Sequence, residues 1–135
     1  MHVLIAHEST AVRSGIRDLL SDSMLEASFV EAADREQILS LLANLECALV
    51  LLDFNLPGSH GLDLLQAIKE LHPGLPVLLL GTQPETQYAQ PCMRAGAAGY
   101  ICLDDAPEQL VKAVAKVLGL EPINDNDSTI AVPEI

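Results

Sequence analysis

The stretch "ALVLLDFNLPGSHGLDLL", residues 48–65, places five apolar side chains before an aspartate and then turns at Pro57 and Gly58. An apolar run without polar alternation is typical of a strand that is covered on both faces, as in a parallel sheet. Residues 48–52 are therefore predicted to be a central strand, with residues 49–52 fully buried. The carboxylate that follows, Asp53, would then stand at the end of a buried strand, which indicates a site.

Apolar runs alternate with helical periods along the rest of the chain. Four more strands are predicted at 2–6, 27–33, 75–81 and 99–103. After each strand, apolar residues recur at helical spacing. The helical segments read "STAVRSGIRDLLSD", "REQILSLLANL", "LDLLQAIKELH", "PETQYAQPCMRAG" and "APEQLVKAVAKVLG". Five successive strand–helix units predict an α/β fold with a single doubly wound parallel sheet of five strands and helices on both faces.

The third helical segment has leucine and isoleucine at a constant spacing of three residues. Its predicted buried stripe consists of Leu62, Leu65, Ile68 and Leu71.

The chain of 135 residues is the size of one domain. Residues 120–135 are polar, contain proline and have no period, so a domain of residues 1–119 is expected to precede a flexible tail or linker stub.

The charge balance argues against several classes of partner. Seven basic and nineteen acidic residues give a net charge of −12, which repels nucleic acid and anionic membranes. No apolar run approaches the roughly 20 residues of a membrane span, and the N-terminus has no basic leader. Three cysteines without C-x-x-C spacing suggest neither a disulfide framework nor a zinc site. We expect a cytoplasmic protein that binds neither nucleic acid nor membrane directly.

Polar side chains follow the predicted strands at the edge where a ligand would bind. His7 and Glu8 follow the first strand, Asp53 the third, Thr82 the fourth and Asp104 the fifth. The carboxyl ends of parallel strands meet at one edge of the sheet, and open α/β sheets bind their ligands there. The sequence therefore predicts two carboxylates (Glu8 and Asp53), a hydroxyl and an imidazole at a single edge, with Asp104 just beyond it.

Two motifs, "LLDFNLPGSHGLDLL" and "RAGAAGYI", resemble the receiver domain of two-component response regulators over about residues 2–118. The resemblance is strongest to the subfamily that usually carries a C-terminal helix-turn-helix. It implies a flavodoxin-like fold with strand order 2-1-3-4-5 and a signalling role that is not enzymatic. It also implies phosphoryl transfer from a histidine kinase or phosphotransfer protein, and a homodimer or partner contact through the fourth helix, fifth strand and fifth helix.

The resemblance assigns roles to five positions. Asp53 would be the phosphoacceptor, Thr82 the switch hydroxyl and Tyr100 the switch aromatic. Glu8, Asp53 and the backbone carbonyl of Asn55 would hold Mg²⁺. The aspartate would thus attack phosphorus with one oxygen and help to hold the metal with the other.

Two positions depart from the family's pattern. His7 stands where the family has the first of two acidic residues, and a neutral imidazole is a poor ligand for a hard cation. Leu103 stands where the family has a lysine, whose charge-assisted contact with phosphoryl oxygens is typically worth about 1.5–3 kcal/mol. The predicted magnesium site is therefore weakened, and signal transmission through a lysine contact is absent.

These departures leave a second interpretation open. The chain could be a pseudo-receiver that acts as a phosphorylation-independent protein-binding or dimerisation module. A third interpretation, a small flavin- or nucleotide-binding enzyme, is disfavoured because "AHESTAVRSG" follows the first strand where a glycine-rich phosphate loop would be needed.

Overall fold

The computed structural model describes residues 1–23, 27–56, 61–83, 85–105 and 107–119, with the backbone alone at 61 and 85–88. Five strands alternate with five helices along these ranges. In chain order they are β1 (His2–Ala6), α1 (Thr10–Ser23), β2 (Ser28–Ala32), α2 (Arg35–Asn44), β3 (Leu49–Asp53), α3 (Gly61–Leu71), β4 (Val77–Gly81), α4 (Glu85–Arg94), β5 (Gly99–Cys102) and α5 (Pro107–Leu118). Residues 120–135, the predicted tail, lie outside the described residues.

All five strands are parallel and lie in the order β2-β1-β3-β4-β5. The doubly wound sheet and its strand order are therefore confirmed. β1 and β3 lie next to each other with Ala6 opposite Leu52, so the residues that follow these two strands meet at one edge. This pairing brings His7 and Asp53 together.

The third strand is buried along its whole length, as predicted. Residues 49–52 are 0% exposed, and Asp53 at the strand's end is 6% exposed. Alternate side chains of β3 point to opposite faces of the sheet, so each strand contributes to two separate cores. Val50 and Leu52 pack toward α2, α3 and α4, whereas Leu49 and Leu51 pack toward α1 and α5.

One predicted core position is wrong. Leu71 is 63% exposed, and the buried residues of α3 are Leu64, Leu65 and Ile68. The reason is helical geometry: with 3.6 residues per turn, a constant spacing of three residues drifts around the helix by about 60° at each step. Leu71 is also the last residue of α3, so no further turn of the helix covers it.

The strand predicted at 75–81 is two residues shorter in the structure. β4 begins at Val77 because Pro76 precedes it, and proline has no N–H to contribute to the ladder. Pro76 instead offers its carbonyl oxygen to the N–H of Val50 at 3.0 Å.

The three cysteines are free thiols, and Cys92 and Cys102 are buried. Within the described ranges, no helix combines the length and apolar character that crossing a membrane requires.

Candidate functional site

Asp53 is the only charged side chain that is buried among the described residues. Its Oδ1 accepts a hydrogen bond from the backbone N–H of Asn55 at 3.0 Å, while Oδ2 lies 3.6 Å from Nε2 of His7. A buried carboxylate is costly unless its oxygens find partners. One oxygen of Asp53 is held by the turn that follows β3, and the other accepts no hydrogen bond within the described part of the chain.

His7 is held in place by its backbone and by its ring. Its N–H donates to the carbonyl of Ala32 at 3.0 Å, and its carbonyl accepts from Nη1 of Arg13 at 2.6 Å. Its ring nitrogen Nδ1 accepts the backbone N–H of Ser9 at 3.0 Å. In a neutral imidazole one nitrogen accepts and the other donates, so Nε2 carries the hydrogen and directs it at Asp53.

Ser9 also defines the start of α1. Its side-chain oxygen accepts the N–H of Val12 at 3.2 Å, which is the contact of a helix N-cap. Its backbone carbonyl accepts the N–H of Arg13 at 3.1 Å, the first bond of the helix. One residue therefore begins the helix and orients the imidazole beside Asp53.

A cluster of two arginines and a glutamate, not predicted from the sequence, supports this loop. Nε of Arg13 donates to Glu31 at 2.8 Å, and Nη1 of Arg17 donates to the same carboxylate at 2.7 Å. Arg13 also reaches the carbonyl of Glu8 at 3.3 Å. The signal available in the sequence was the spacing of two arginines by four residues on α1, because residues four apart share one helix face. Their partner on the neighbouring strand could be identified only from the structure.

The predicted metal ligands are partly brought together. Asp53 and Asn55 lie two residues apart in one turn, whereas the side chains of Glu8 and Asn55 are exposed. In the described ranges, no group of three histidine, cysteine, aspartate or glutamate side chains could hold a metal ion. Mg²⁺ needs only one or two carboxylates and keeps water for its other positions. Asp53 therefore offers a carboxylate oxygen that fits this ion, although the donor set is small.

Tyr100 faces the core and contacts the loop after β4. It is 5% exposed, and its hydroxyl donates to the carbonyl of Gln83 at 2.9 Å. Its ring meets that of Phe54 edge to face, with the ring centroids 6.5 Å apart. Phe54 follows Asp53 directly, and Thr82, an exposed residue, precedes Gln83. Tyr100 thus contacts both the residue that follows Asp53 and the residue that follows Thr82.

Leu103 does not extend a polar group toward Asp53. It is half-buried and packs against the core between the sheet and the helices α1 and α5. Its N–H donates to the carbonyl of Gly81 at 2.7 Å. Among the described residues, no lysine or arginine forms an ion pair with Asp53. The basic side chain that lies beside this carboxylate is His7, at 3.6 Å.

A parallel sheet in the order 2-1-3-4-5, with a carboxylate at the end of its central strand, is the arrangement of a flavodoxin-like fold. The chain belongs to the response regulator receiver domain family, whose model matches residues 3–115. Members of this family are signalling modules, and they generally bind Mg²⁺ at the site of phosphorylation.

Several curated proteins are similar to this chain. The response regulator protein FleR of Pseudomonas aeruginosa is 35% identical over 120 residues, covering 87% of this chain and 25% of FleR. The glycerol metabolism activator of Pseudomonas putida is 29% identical over 117 residues, covering 86% of this chain and 53% of that protein. The chain thus spans about half the length of several of these relatives, and a quarter of FleR.

Solved structures show the same architecture. A two-component response regulator of the LuxR family from Aurantimonas superposes with a TM-score of 0.81 at 25% identity, covering 87% of this chain and 84% of that chain. The chemotaxis response regulator CheY4 of Vibrio cholerae superposes with a TM-score of 0.77 at 24% identity, covering 87% of this chain and 98% of its own. The second similarity supports the fold alone.

Proposed function

We propose that this chain is a receiver domain that accepts a phosphoryl group on Asp53 from a phosphohistidine of a histidine kinase or phosphotransfer protein. The observation that carries the proposal is the geometry of Asp53, a buried carboxylate at the tip of β3. One of its oxygens is held by Asn55 N–H. The other is open on the side of His7.

The transfer needs little covalent chemistry from the protein. Oδ2 of Asp53 attacks phosphorus, the new O–P bond forms as the P–N bond of the phosphohistidine breaks, and the electron pair leaves with the donor imidazole. Such transfers are promoted mainly by positioning and by electrostatic stabilisation. The hydrogen bond from Asn55 to Oδ1 orients the carboxylate for this attack.

The proposed metal ligands are Glu8, Asp53 and the backbone carbonyl of Asn55. A bound Mg²⁺ would neutralise charge on the phosphoryl oxygens. With two carboxylates, binding is expected to be weaker than at a site with three.

The proposed relay runs from Asp53 to Thr82 and Tyr100. Phe54 joins the backbone of the phosphoacceptor to the ring of Tyr100, and the Tyr100 hydroxyl joins the loop that contains Thr82. A change at Asp53 would therefore alter α4, β5 and α5. We propose this face as the contact for a homodimer or another protein partner.

The domain bounds and the location of the protein also follow from its sequence. We propose a receiver domain of residues 1–119, followed by a tail or linker, acting in the cytoplasm. The net charge of −12 argues against direct contact with nucleic acid by this chain. One relative, ExaE of Pseudomonas putida, is named as a transcriptional activator, and this chain spans 55% of its length.

A pseudo-receiver is the alternative, and two observations favour it. Leu103 packs into the core instead of facing the site, and His7 replaces an acidic residue. In that case Asp53 would not accept phosphate, and the α4-β5-α5 face would bind its partner without a switch.

Intact-mass measurement distinguishes these functions. The full chain is incubated with Mg²⁺ and a small acyl phosphate, and Asp53→Asn serves as the matched control. The proposed function expects the mass of one phosphoryl group on the parent chain and none on Asp53→Asn. An unmodified parent would support the pseudo-receiver, and equal modification of both would place the phosphate elsewhere.

A further inference from the structure

We propose that His7 binds the phosphoryl group, donating its Nε2–H to a phosphoryl oxygen on Asp53. This inference rests on the proposed function and assigns a residue that the family's pattern does not supply. It would make His7 a hydrogen-bond donor to the anion where a carboxylate would otherwise bind metal. The site would thereby recover part of the stabilisation that Leu103 cannot provide.

The tautomer of His7 supports donation to an anion rather than coordination of a metal. The N–H of Ser9 occupies the lone pair of Nδ1 at 3.0 Å. In the neutral ring, Nε2 therefore carries the hydrogen and has no lone pair free for a cation. Nε2 is also the nitrogen that faces Asp53. An N–H aimed at the phosphoacceptor is suited to an oxyanion.

The imidazole is also held rigidly. The backbone of His7 is bound on one side by Ala32 and on the other by Arg13, whose guanidinium is fixed by Glu31. A donor whose position is set before the anion arrives loses little entropy and needs no reorganisation when the anion forms. The contacts among Ser9, Arg13 and Glu31 thus preorganise one donor at Asp53.

The distance between the two groups leaves a place for the phosphoryl oxygen. Nε2 of His7 and Oδ2 of Asp53 are 3.6 Å apart, which is too long for a direct hydrogen bond. A phosphoryl group on Oδ2 carries three further oxygens beyond the carboxylate, and one of them can enter the range of Nε2. Among the described residues, no lysine or arginine pairs with Asp53 to compete for that oxygen.

The first experiment does not depend on whether Asp53 accepts phosphate. In the full chain carrying Asp53→Cys, Cys47→Ser and Cys102→Ala, the new thiol is alkylated with a reagent that attaches a phosphonomethyl group. Cys92 is buried, and burial raises the pKa of its thiol, so it forms less thiolate and reacts more slowly. The probe is the nitrogen-15 spectrum of the His7 ring, with a carboxamidomethyl group as the uncharged control.

The expected spectrum has hydrogen on Nε2 both with and without the phosphonate. The Nε2–H signal is expected to move downfield with the phosphonate and to stay in place with the uncharged group. Hydrogen on Nδ1, or an Nε2 signal equally insensitive to both groups, would overturn the proposal.

The second experiment compares His7→Leu with His7→Gln, because glutamine restores an N–H donor at similar reach. Phosphorylation of Asp53 is followed by intact mass at a saturating concentration of Mg²⁺, so that all variants are compared with the metal bound. His7→Leu is expected to slow uptake roughly tenfold or more, the effect of a lost hydrogen bond to a charged group, and His7→Gln is expected to recover most of the rate. Equal rates in the parent and His7→Leu would contradict the proposal, as would an equal loss in both variants.

The two experiments separate the inference from the proposed function. A parent chain that takes up no phosphate, but whose His7 signal responds to the phosphonate, would refute phosphoacceptance and support His7 as an anion donor. Phosphate uptake with an unresponsive His7 signal would support the proposed function and overturn the inference.

Discussion

The ring of Tyr100 occupies the space that any side chain at Gly81 would need. A β-carbon added at Gly81 would lie 3.0 Å from Cζ and 3.1 Å from Cε1 of Tyr100, and closest of all to its hydroxyl oxygen. Such separations are shorter than van der Waals contact between carbon atoms. The absence of a side chain on the last residue of β4 therefore permits the buried position of Tyr100.

Gly81→Ala is expected to destabilise the domain by about 1–3 kcal/mol, the usual cost of overpacking a well-packed core. Urea denaturation measures this change in the free energy of unfolding. Tyr100→Phe supplies the matched background, because it removes the oxygen nearest to the added methyl group. The penalty of Gly81→Ala should be smaller in that background, and an equal penalty in both would show that the hydroxyl of Tyr100 is not the obstacle.

Mg²⁺ binding is expected to be weak and to depend on Glu8. Glu8→Gln removes one of the two proposed carboxylates and should lower the affinity for Mg²⁺ measured by calorimetric titration. His7→Asp adds a carboxylate beside Asp53 and should raise it, because hard cations prefer oxygen ligands. An affinity unchanged by Glu8→Gln would place the ion elsewhere.

Leu103→Lys is expected to enlarge the structural response to phosphorylation. An added ammonium could contact the phosphoryl group in the modified state only, and a ligand shifts an equilibrium through its differential interaction with two states. Amide hydrogen exchange across residues 84–104, with and without phosphodonor, measures the response. Leu103→Met is the control for the change in side-chain shape.

Two results would contradict this expectation for Leu103→Lys. The first is a large protection change in the parent that the lysine leaves unaltered. The second is an equal increase in the methionine control. A phosphorylated parent with no protection change would favour the pseudo-receiver.

Arg13 is expected to contribute more to stability than Arg17, although both pair with Glu31. The side chain of Arg13 is 13% exposed and also binds the carbonyls of His7 and Glu8, whereas that of Arg17 is 45% exposed and also binds the carbonyl of Phe29. Arg13→Ala should cost about 1–3 kcal/mol because it leaves polar groups unpaired, and Arg17→Ala less than about 1 kcal/mol after solvent screening. Thermal unfolding of the two variants tests the order, and equal losses would refute it.

Much of the fold could be predicted from local patterns. Five apolar runs separated by helical periods indicated the parallel sheet, and the structure confirmed the burial of residues 49–52. Leu71 was predicted incorrectly because regular spacing of three residues does not follow one face of a helix. The roles of Asp53, Thr82 and Tyr100 remain predictions.

The sequence by itself determined the alternation of strands and helices, and it placed Asp53 at the tip of a buried strand. Both features depend on the order of apolar and polar residues along the chain. Only the tertiary structure decided that Nε2 of His7 faces Asp53 and that Tyr100 lies over Gly81. Each of these depends on strand pairing and side-chain rotamers that bring residues distant in the chain into contact. The spacing of residues along the chain does not predict such contacts, because they form only when strand pairing brings the segments together.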